Sequence, residues 1–177
     1  MSDRLNVLVL GSGGREHAII EACSRSPRLN KLFAIPGNPG IAAKAECFKL
    51  NAEDGAAVAA FCGEHAVELV IVGPEAPLAA GVADAVRAAG VAVFGPSKAG
   101  AMLEASKEFS KNFMARHSVP TAAFFVCHTV EEAEKALSHF APPYIVKASG
   151  LAAGKGVFVE PTLAGARDAV KQLLVEK

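Results

Sequence analysis

The stretch Leu5–Ile20, LNVLVLGSGGREHAII, decides the fold. An apolar run over Leu5–Leu10 predicts a strand, the glycines at 11, 13 and 14 predict a tight turn, and Gly14–Arg25 predicts a helix. A strand that feeds a helix through a glycine turn is the opening unit of an α/β sheet. The same alternation continues downstream. Strands are expected at Lys31–Ile35, Cys47–Leu50, Glu68–Val72 and Val91–Phe94, with helices over Glu53–His65 and Pro77–Ala89 between them. The last helix places Leu78, Val82, Val86 and Ala89 on one face, with Pro77 at its start and Gly90 beyond its end. These strands are apolar throughout instead of alternating, as a parallel sheet covered on both faces requires. The expected architecture is α/β: an open parallel Rossmann-like sheet, with right-handed crossovers assumed.

From Ser97 the pattern changes. Lys98–His117 reads as largely helical, Phe124–Cys127 as a strand, Val130–Phe140 as a helix and Tyr144–Ala148 as a strand. A glycine-rich loop follows, then a strand at Val157–Glu160 and a helix over Thr162–Val175. A domain boundary near Gly95–Ser97 divides the chain into 1–96 and 97–177. No internal repeat or low-complexity tract is visible.

Composition narrows the function. Eighteen basic residues balance eighteen acidic ones among 177, so no global field favours nucleic acid or an anionic membrane, and any anion binding is local. The apolar runs end at glycine or proline too soon to span a bilayer, and no cleavage-type site follows Val7–Leu10. Cys23, Cys47, Cys62 and Cys127 lack C-x-x-C spacing and read as small apolar residues in a reducing, cytoplasmic setting. The five histidines form no zinc motif.

Chemistry concentrates in the loops. In an open parallel sheet, ligands bind beyond the carboxyl ends of the strands. Four glycine-containing loops fall there: Gly11–Glu16, Pro36–Gly40, Gly73–Glu75 and Gly95–Ser97. The first approximates G-x-G-x-x-G, but its third glycine position is Glu16. Proline and glycine also end the second strand, where a dinucleotide site needs an acid. What survives is a glycine turn at a helix N-terminus, which attracts phosphate and which Arg15 can reinforce. A plain strand–helix turn reads the same residues equally well. Glu75, held between Pro74 and Pro77, suits ribose hydroxyls or a substrate amine, or simply complements a helix dipole. Gly37–Gly40 suits a ligand or an ordinary turn. Ser97 in Gly95-Pro96-Ser97-Lys98-Ala99 only approximates a nucleophile elbow and is better read as a helix N-cap.

The segment YIVKASGLAAGKGVFV at Tyr144–Val159 carries a second anion-seeking loop. Gly150 and Gly154 enclose three residues, no hydroxyl follows Lys155, and the next segment is a strand, so the P-loop pattern fails. A β–loop–β flap closing over phosphates fits instead, with a glycine-rich hairpin as the bland alternative. Lys147 shares an alternating face with Ile145, which is costly unless its ammonium reaches water or an anion. Two phosphate-friendly loops suggest two phosphorylated ligands and a transfer between them.

Taken together, GSGGREHA at 11–18, PGNPG at 36–40, VGPEAPLAAG at 72–81, LEASKEF at 103–109 and KASGLAAGKGV at 147–157 resemble the N-terminal part of the phosphoribosylamine–glycine ligases (glycinamide ribonucleotide synthetases), an ATP-grasp family of purine synthesis. The motifs run in the family's order over nearly the whole chain. Ser149 stands where many members carry aspartate and is similar to eukaryotic members, often fused to later purine-pathway enzymes.

The resemblance implies that the second domain begins an ATP-grasp fold, including its small lid. It implies that ATP phosphorylates the carboxylate of glycine and that the amine of 5-phosphoribosylamine attacks the acyl phosphate. Gly11, Ser12, Gly13, Gly14, Arg15, Glu16, Gly37, Asn38, Pro39, Gly40 and Glu75 would hold the phosphoribosyl substrate. Lys107 and Lys147 would contact ATP phosphates, with Gly150, Leu151, Ala152, Ala153, Gly154, Lys155 and Gly156 as the closing flap. Magnesium ligands are expected outside this chain, and catalytic residues stay unassigned. The chain is then expected to be a fragment: the complete first domain plus the lid, inactive alone, with apolar lid surface left open. A larger, multifunctional parent protein is compatible with that.

Competing readings are a biotin-dependent carboxylase subunit, which would share the flap but not GSGGREHA with VGPEAPL, a nicotinamide-binding module, and a non-catalytic scaffold.

Overall fold

The computed structural model describes residues 4–152 and 155–176. The chain divides into two compact units, residues 1–102 and 103–177.

The first unit is a five-stranded parallel sheet in the order β3-β2-β1-β4-β5. Its strands are β1 (Leu5–Gly11), β2 (Leu29–Pro36), β3 (Glu46–Cys47), β4 (Leu69–Val72) and β5 (Ala92–Phe94). Helices α1 (Gly14–Cys23), α2 (Gly55–Glu64), α3 (Glu75–Ala80) and α4 (Val82–Ala88) connect them. Side chains alternate across β1, so its apolar residues serve two cores. Leu8 and Leu10 join Phe33, Ile35, Val70 and Val72 against Val58, Phe61 and Cys62 of α2 and Val82 and Val86 of α4. Val7 and Val9 join Leu32 and Ala34 against Ile20 of α1, with Ile41 and Ala45. Burial on both faces explains why the strands read as continuous apolar runs.

Local signals set the boundaries. Asp54 caps α2 by accepting from the Ala57 amide at 3.0 Å. The single helix expected over Pro77–Ala89 is two, because Gly81 adopts φ 96° and ends α3 before α4 begins. The strand expected over Cys47–Leu50 shrinks to Glu46–Cys47. Phe48 turns its ring instead onto Phe61, 4.8 Å between centroids, within a cluster that includes Phe33 and His65.

Burial pushes the Cys62 thiol up from 9.0 to about 11. The unfolded chain ionises it first, so this stabilisation is complete below pH 9 and is lost as pH rises through about 11. The loss amounts to about 2–3 kcal/mol. Alkaline denaturation of the wild type should therefore steepen between those values, and Cys62→Ala should flatten that limb. An identical profile in both chains contradicts this.

Helix α5 (Lys98–Ala105) links the two units. The second unit contains α6 (Lys107–Arg116), α7 (Val130–Leu137), β6 (Tyr144–Lys147), β7 (Val157–Glu160) and α8 (Leu163–Leu174). Strands β6 and β7 form an antiparallel hairpin pairing Tyr144 with Glu160 and Lys147 with Val157. Tyr144 and Val146 pack on Ala133 and Leu137 of α7 and Ala166 and Val170 of α8. Thr129 and Thr162 cap those helices.

Two expectations for this unit need correction. The helical stretch Lys98–His117 breaks at Ser106, whose hydroxyl accepts from the Phe109 amide and starts α6 afresh. Phe124–Cys127 is not a strand, since no neighbouring strand supplies a ladder to it among the described residues.

Candidate functional site

Strand order reverses between β1 and β4, so their carboxyl ends open the crevice where such sheets bind ligands. Three of the four expected loops meet around it. Gly11 accepts a hydrogen bond from the Gly37 amide at 3.2 Å, and Asn38 Nδ2 donates to the Ser12 carbonyl at 2.8 Å. These bonds tie the β2 loop to the β1 loop. Asn38 Oδ1 also accepts from Ile41 at 2.9 Å, which fixes the Gly37–Gly40 turn. His17 packs over Gly40, where a Cβ would lie 2.6 Å from its ring. Across the crevice, Arg15 Nη1 donates to the Gly73 carbonyl at 2.8 Å and pairs with Glu75 Oε1 at 3.1 Å. The fourth loop, Gly95–Ser97, is occupied locally. Arg87 donates to the Gly95 carbonyl, and Ser97 Oγ accepts from the Gly100 amide at 3.1 Å as an N-cap.

The crevice presents anion-binding groups. Ser12, Gly13, Gly14 and Arg15 are exposed. The first intrahelical backbone donor of α1 is His17, bonding Gly13 at 3.0 Å, so the Gly14, Arg15 and Glu16 amides have no backbone partner within the helix. A helix N-terminus with a half-exposed guanidinium beside it favours a phosphate. Glu75 balances that charge. Its own backbone amide, then the Arg15 guanidinium, holds its carboxyl below the ordinary glutamate range.

Glu16 is placed differently from its neighbours. It is 4% exposed, and its carboxylate turns into the loop, accepting from the Gly13 amide at 2.6 Å. This is half of a capping box, with no hydroxyl at Gly13 to supply the other half.

The second unit carries the other candidate loop. The Ala148 amide donates to the Gly156 carbonyl at 2.8 Å, closing the hairpin beyond β6 and β7. Gly156 is buried, and a Cβ there would lie 2.6 Å from that of Ala152. Ala153 and Gly154 lie outside the described residues. Lys147 lines the hairpin face opposite the helices, together with Ile145, Val157 and Val159, whose side chains are exposed.

The start of α6 grips the start of this loop. The Lys107 amide donates to the Ser149 carbonyl at 2.8 Å, the Glu108 amide to Ser149 Oγ at 3.1 Å, and Lys107 Nζ to the Gly150 carbonyl at 3.2 Å. Lys107 thus lies against the start of the Gly150–Gly156 loop. The role of Ser149 escapes sequence reading because its partners are some forty residues away. The break at Ser106 has a readable signal, a serine ahead of Lys-Glu at a helix start.

No helix among the described residues is long and apolar enough to cross a membrane. Nor do three His, Cys, Asp or Glu side chains among them gather as a metal site.

Residues 5–104 match the family described as phosphoribosylglycinamide synthetase, N domain, and residues 105–177 match its ATP-grasp (A) domain. The phosphoribosylamine–glycine ligase of Mesorhizobium japonicum is 53% identical over 94% of this chain and 39% of its own length. That of Streptomyces coelicolor is 51% identical over 98% of this chain and 42% of its own length. The crystal structure of the Thermotoga maritima enzyme superposes with a TM-score of 0.78 at 30% identity, covering 97% of this chain and 40% of that one. The chain therefore spans about two fifths of the length of the relatives it matches. With its motifs, its sheet order and both matched domains in agreement, it belongs to the phosphoribosylglycinamide synthetase family.

Proposed function

We propose that this chain supplies two of the binding surfaces of an ATP-dependent ligase that joins glycine to 5-phosphoribosylamine in purine synthesis. The observation that carries the reading is the crevice at the β1/β4 switch point. Three loops converge there on one guanidinium and one carboxylate in a chain of this family. Gly11–Gly14, with Arg15, would receive the 5-phosphate. Glu75 would accept ribose hydroxyls or steady the amine, Gly37–Gly40 would close the third side, and Glu16 would support the loop from behind.

In the second unit, Lys107, Lys147 and the Gly150–Gly156 loop would hold the phosphates of ATP. The apolar face of Ile145, Val157 and Val159 would receive the base. The reaction needs the glycine carboxylate activated as an acyl phosphate, then attacked by the amine with release of phosphate. Binding and charge neutralisation are what these residues contribute. Magnesium, where bound, would be held by carboxylates together with the ATP phosphates and would neutralise their charge, and none of the residues named above is assigned as its ligand. Four free cysteines suit the reducing cytoplasm in which we place the enzyme. Functionally, residues 1–96 would form the substrate-binding portion and 97–177 the start of the ATP-grasp portion.

Calorimetric titration of the chain with ribose 5-phosphate tests the crevice. Saturable binding is expected, and Arg15→Ala should weaken it about tenfold or more, the loss of a charge-assisted contact. Binding of a non-hydrolysable ATP analogue should be unchanged by that variant. A folded chain that ignores ribose 5-phosphate, or binds NAD in its place, sinks this reading.

A further inference from the structure

Glu16 is the one charged side chain buried among the described residues. Burying a carboxylate is costly unless its surroundings are built for it. Three glycines form that surrounding. A Cβ on Gly11 would lie 2.5 Å from Glu16 Cγ, and one on Gly13 would lie 2.9 Å from Oε2. A Cβ on Gly73 would overlap Oε1 and Cγ outright and lie 2.6 Å from Cδ. Gly11 belongs to one wall of the crevice and Gly73 to the other. Gly73 is held from two sides, since Arg15 bonds its carbonyl while Glu16 fills the space beside its Cα.

We propose that Glu16 is a positioning residue, a keystone that sets the spacing between the β1 and β4 loops and thereby presents the anion-binding amides and Arg15. On this account position 73 is glycine because of Glu16, not because a ligand approaches it. Gly73 is the informative partner because it does not adopt a left-handed φ, so alanine there meets only a steric objection. The effect on ligand affinity rests on the phosphoribosyl reading of the crevice, whereas the coupling between the two positions does not.

A double-mutant cycle decides the matter, using Glu16→Ala, Gly73→Ala, the combination and Glu16→Gln in the whole chain. Thermal unfolding and titration with ribose 5-phosphate are the readouts. Gly73→Ala alone should lower the melting temperature by about 10 °C or abolish folding. In the Glu16→Ala background the same change should shift it by only about 2 °C, because the vacated space admits the methyl group. Glu16→Ala should weaken ribose 5-phosphate binding about tenfold while the chain remains folded, and Glu16→Gln, whose amide oxygen can accept from Gly13, should restore most of it.

Equal costs of Gly73→Ala in both backgrounds, or an unfolded double variant, overturn the proposal. So does a folded Glu16→Ala chain that binds ribose 5-phosphate as the wild type does. If the wild type binds no ribose 5-phosphate, the crevice reading fails, and the melting cycle alone still decides the keystone.

Discussion

Gly11→Ala is expected to destabilise the first unit by roughly 3 kcal/mol. Gly11 ends the central strand with φ 122°, a conformation open to glycine and strained for any residue with a Cβ. The handedness penalty contributes about 1–2 kcal/mol. A methyl group 2.5 Å from the buried Glu16 Cγ adds an overpacking penalty of about 1–3 kcal/mol. For a unit of this size the melting temperature should fall by about 10–20 °C, followed by scanning calorimetry. The same substitution displaces the amides that line the crevice, so ribose 5-phosphate binding should be lost even where the chain stays folded. A melting temperature within a few degrees of the wild type would mean that the β1 loop is not built around Glu16.

Lys147→Ala should have the largest effect on turnover. Lys147 is exposed at the end of β6, on the hairpin face that it shares with Ile145, Val157 and Val159. A cation fixed on an apolar platform is suited to the phosphates of a nucleotide whose base lies on that platform. Removing one such electrostatic group typically costs about 10²–10³-fold in rate. In a chimera completed with the C-terminal part of a relative, ADP release should fall by about that factor with little change in melting temperature, because the Lys147 side chain is exposed. Unaltered turnover would place the ATP phosphates elsewhere.

Much of this arrangement was legible in the chain itself. The parallel sheet followed from apolar runs such as Leu69–Val72 bounded by glycine and proline, because burial on both faces leaves no room for polar alternation. The convergence of the Gly11–Glu16, Gly37–Gly40 and Gly73–Glu75 loops follows from that topology, since all three leave carboxyl ends of neighbouring strands, but the same argument also places Gly95–Ser97 there, and that loop is bonded locally instead. Where reading failed, a single residue or a distant partner was responsible. Gly81 breaks a helix whose apolar periodicity runs straight through it. Phe124–Cys127 has strand composition, but no strand pairs with it among the described residues, and pairing is not written in composition. Glu16 is expected from the sequence among the residues that hold the phosphoribosyl substrate, but its side chain is buried and turned into the loop. Its burial depends on Gly73, more than fifty positions downstream, so no local pattern could show it. The grip of Ser149 on α6 is invisible for the same reason.

The most direct measurement is ADP release by a chimera in which this chain is completed with the remaining C-terminal part of a relative, assayed beside the 177-residue chain. Release is expected from the long form only when glycine and 5-phosphoribosylamine are both present, and none from the short form. Release by the short form, or release by the long form that ignores either substrate, would contradict that expectation.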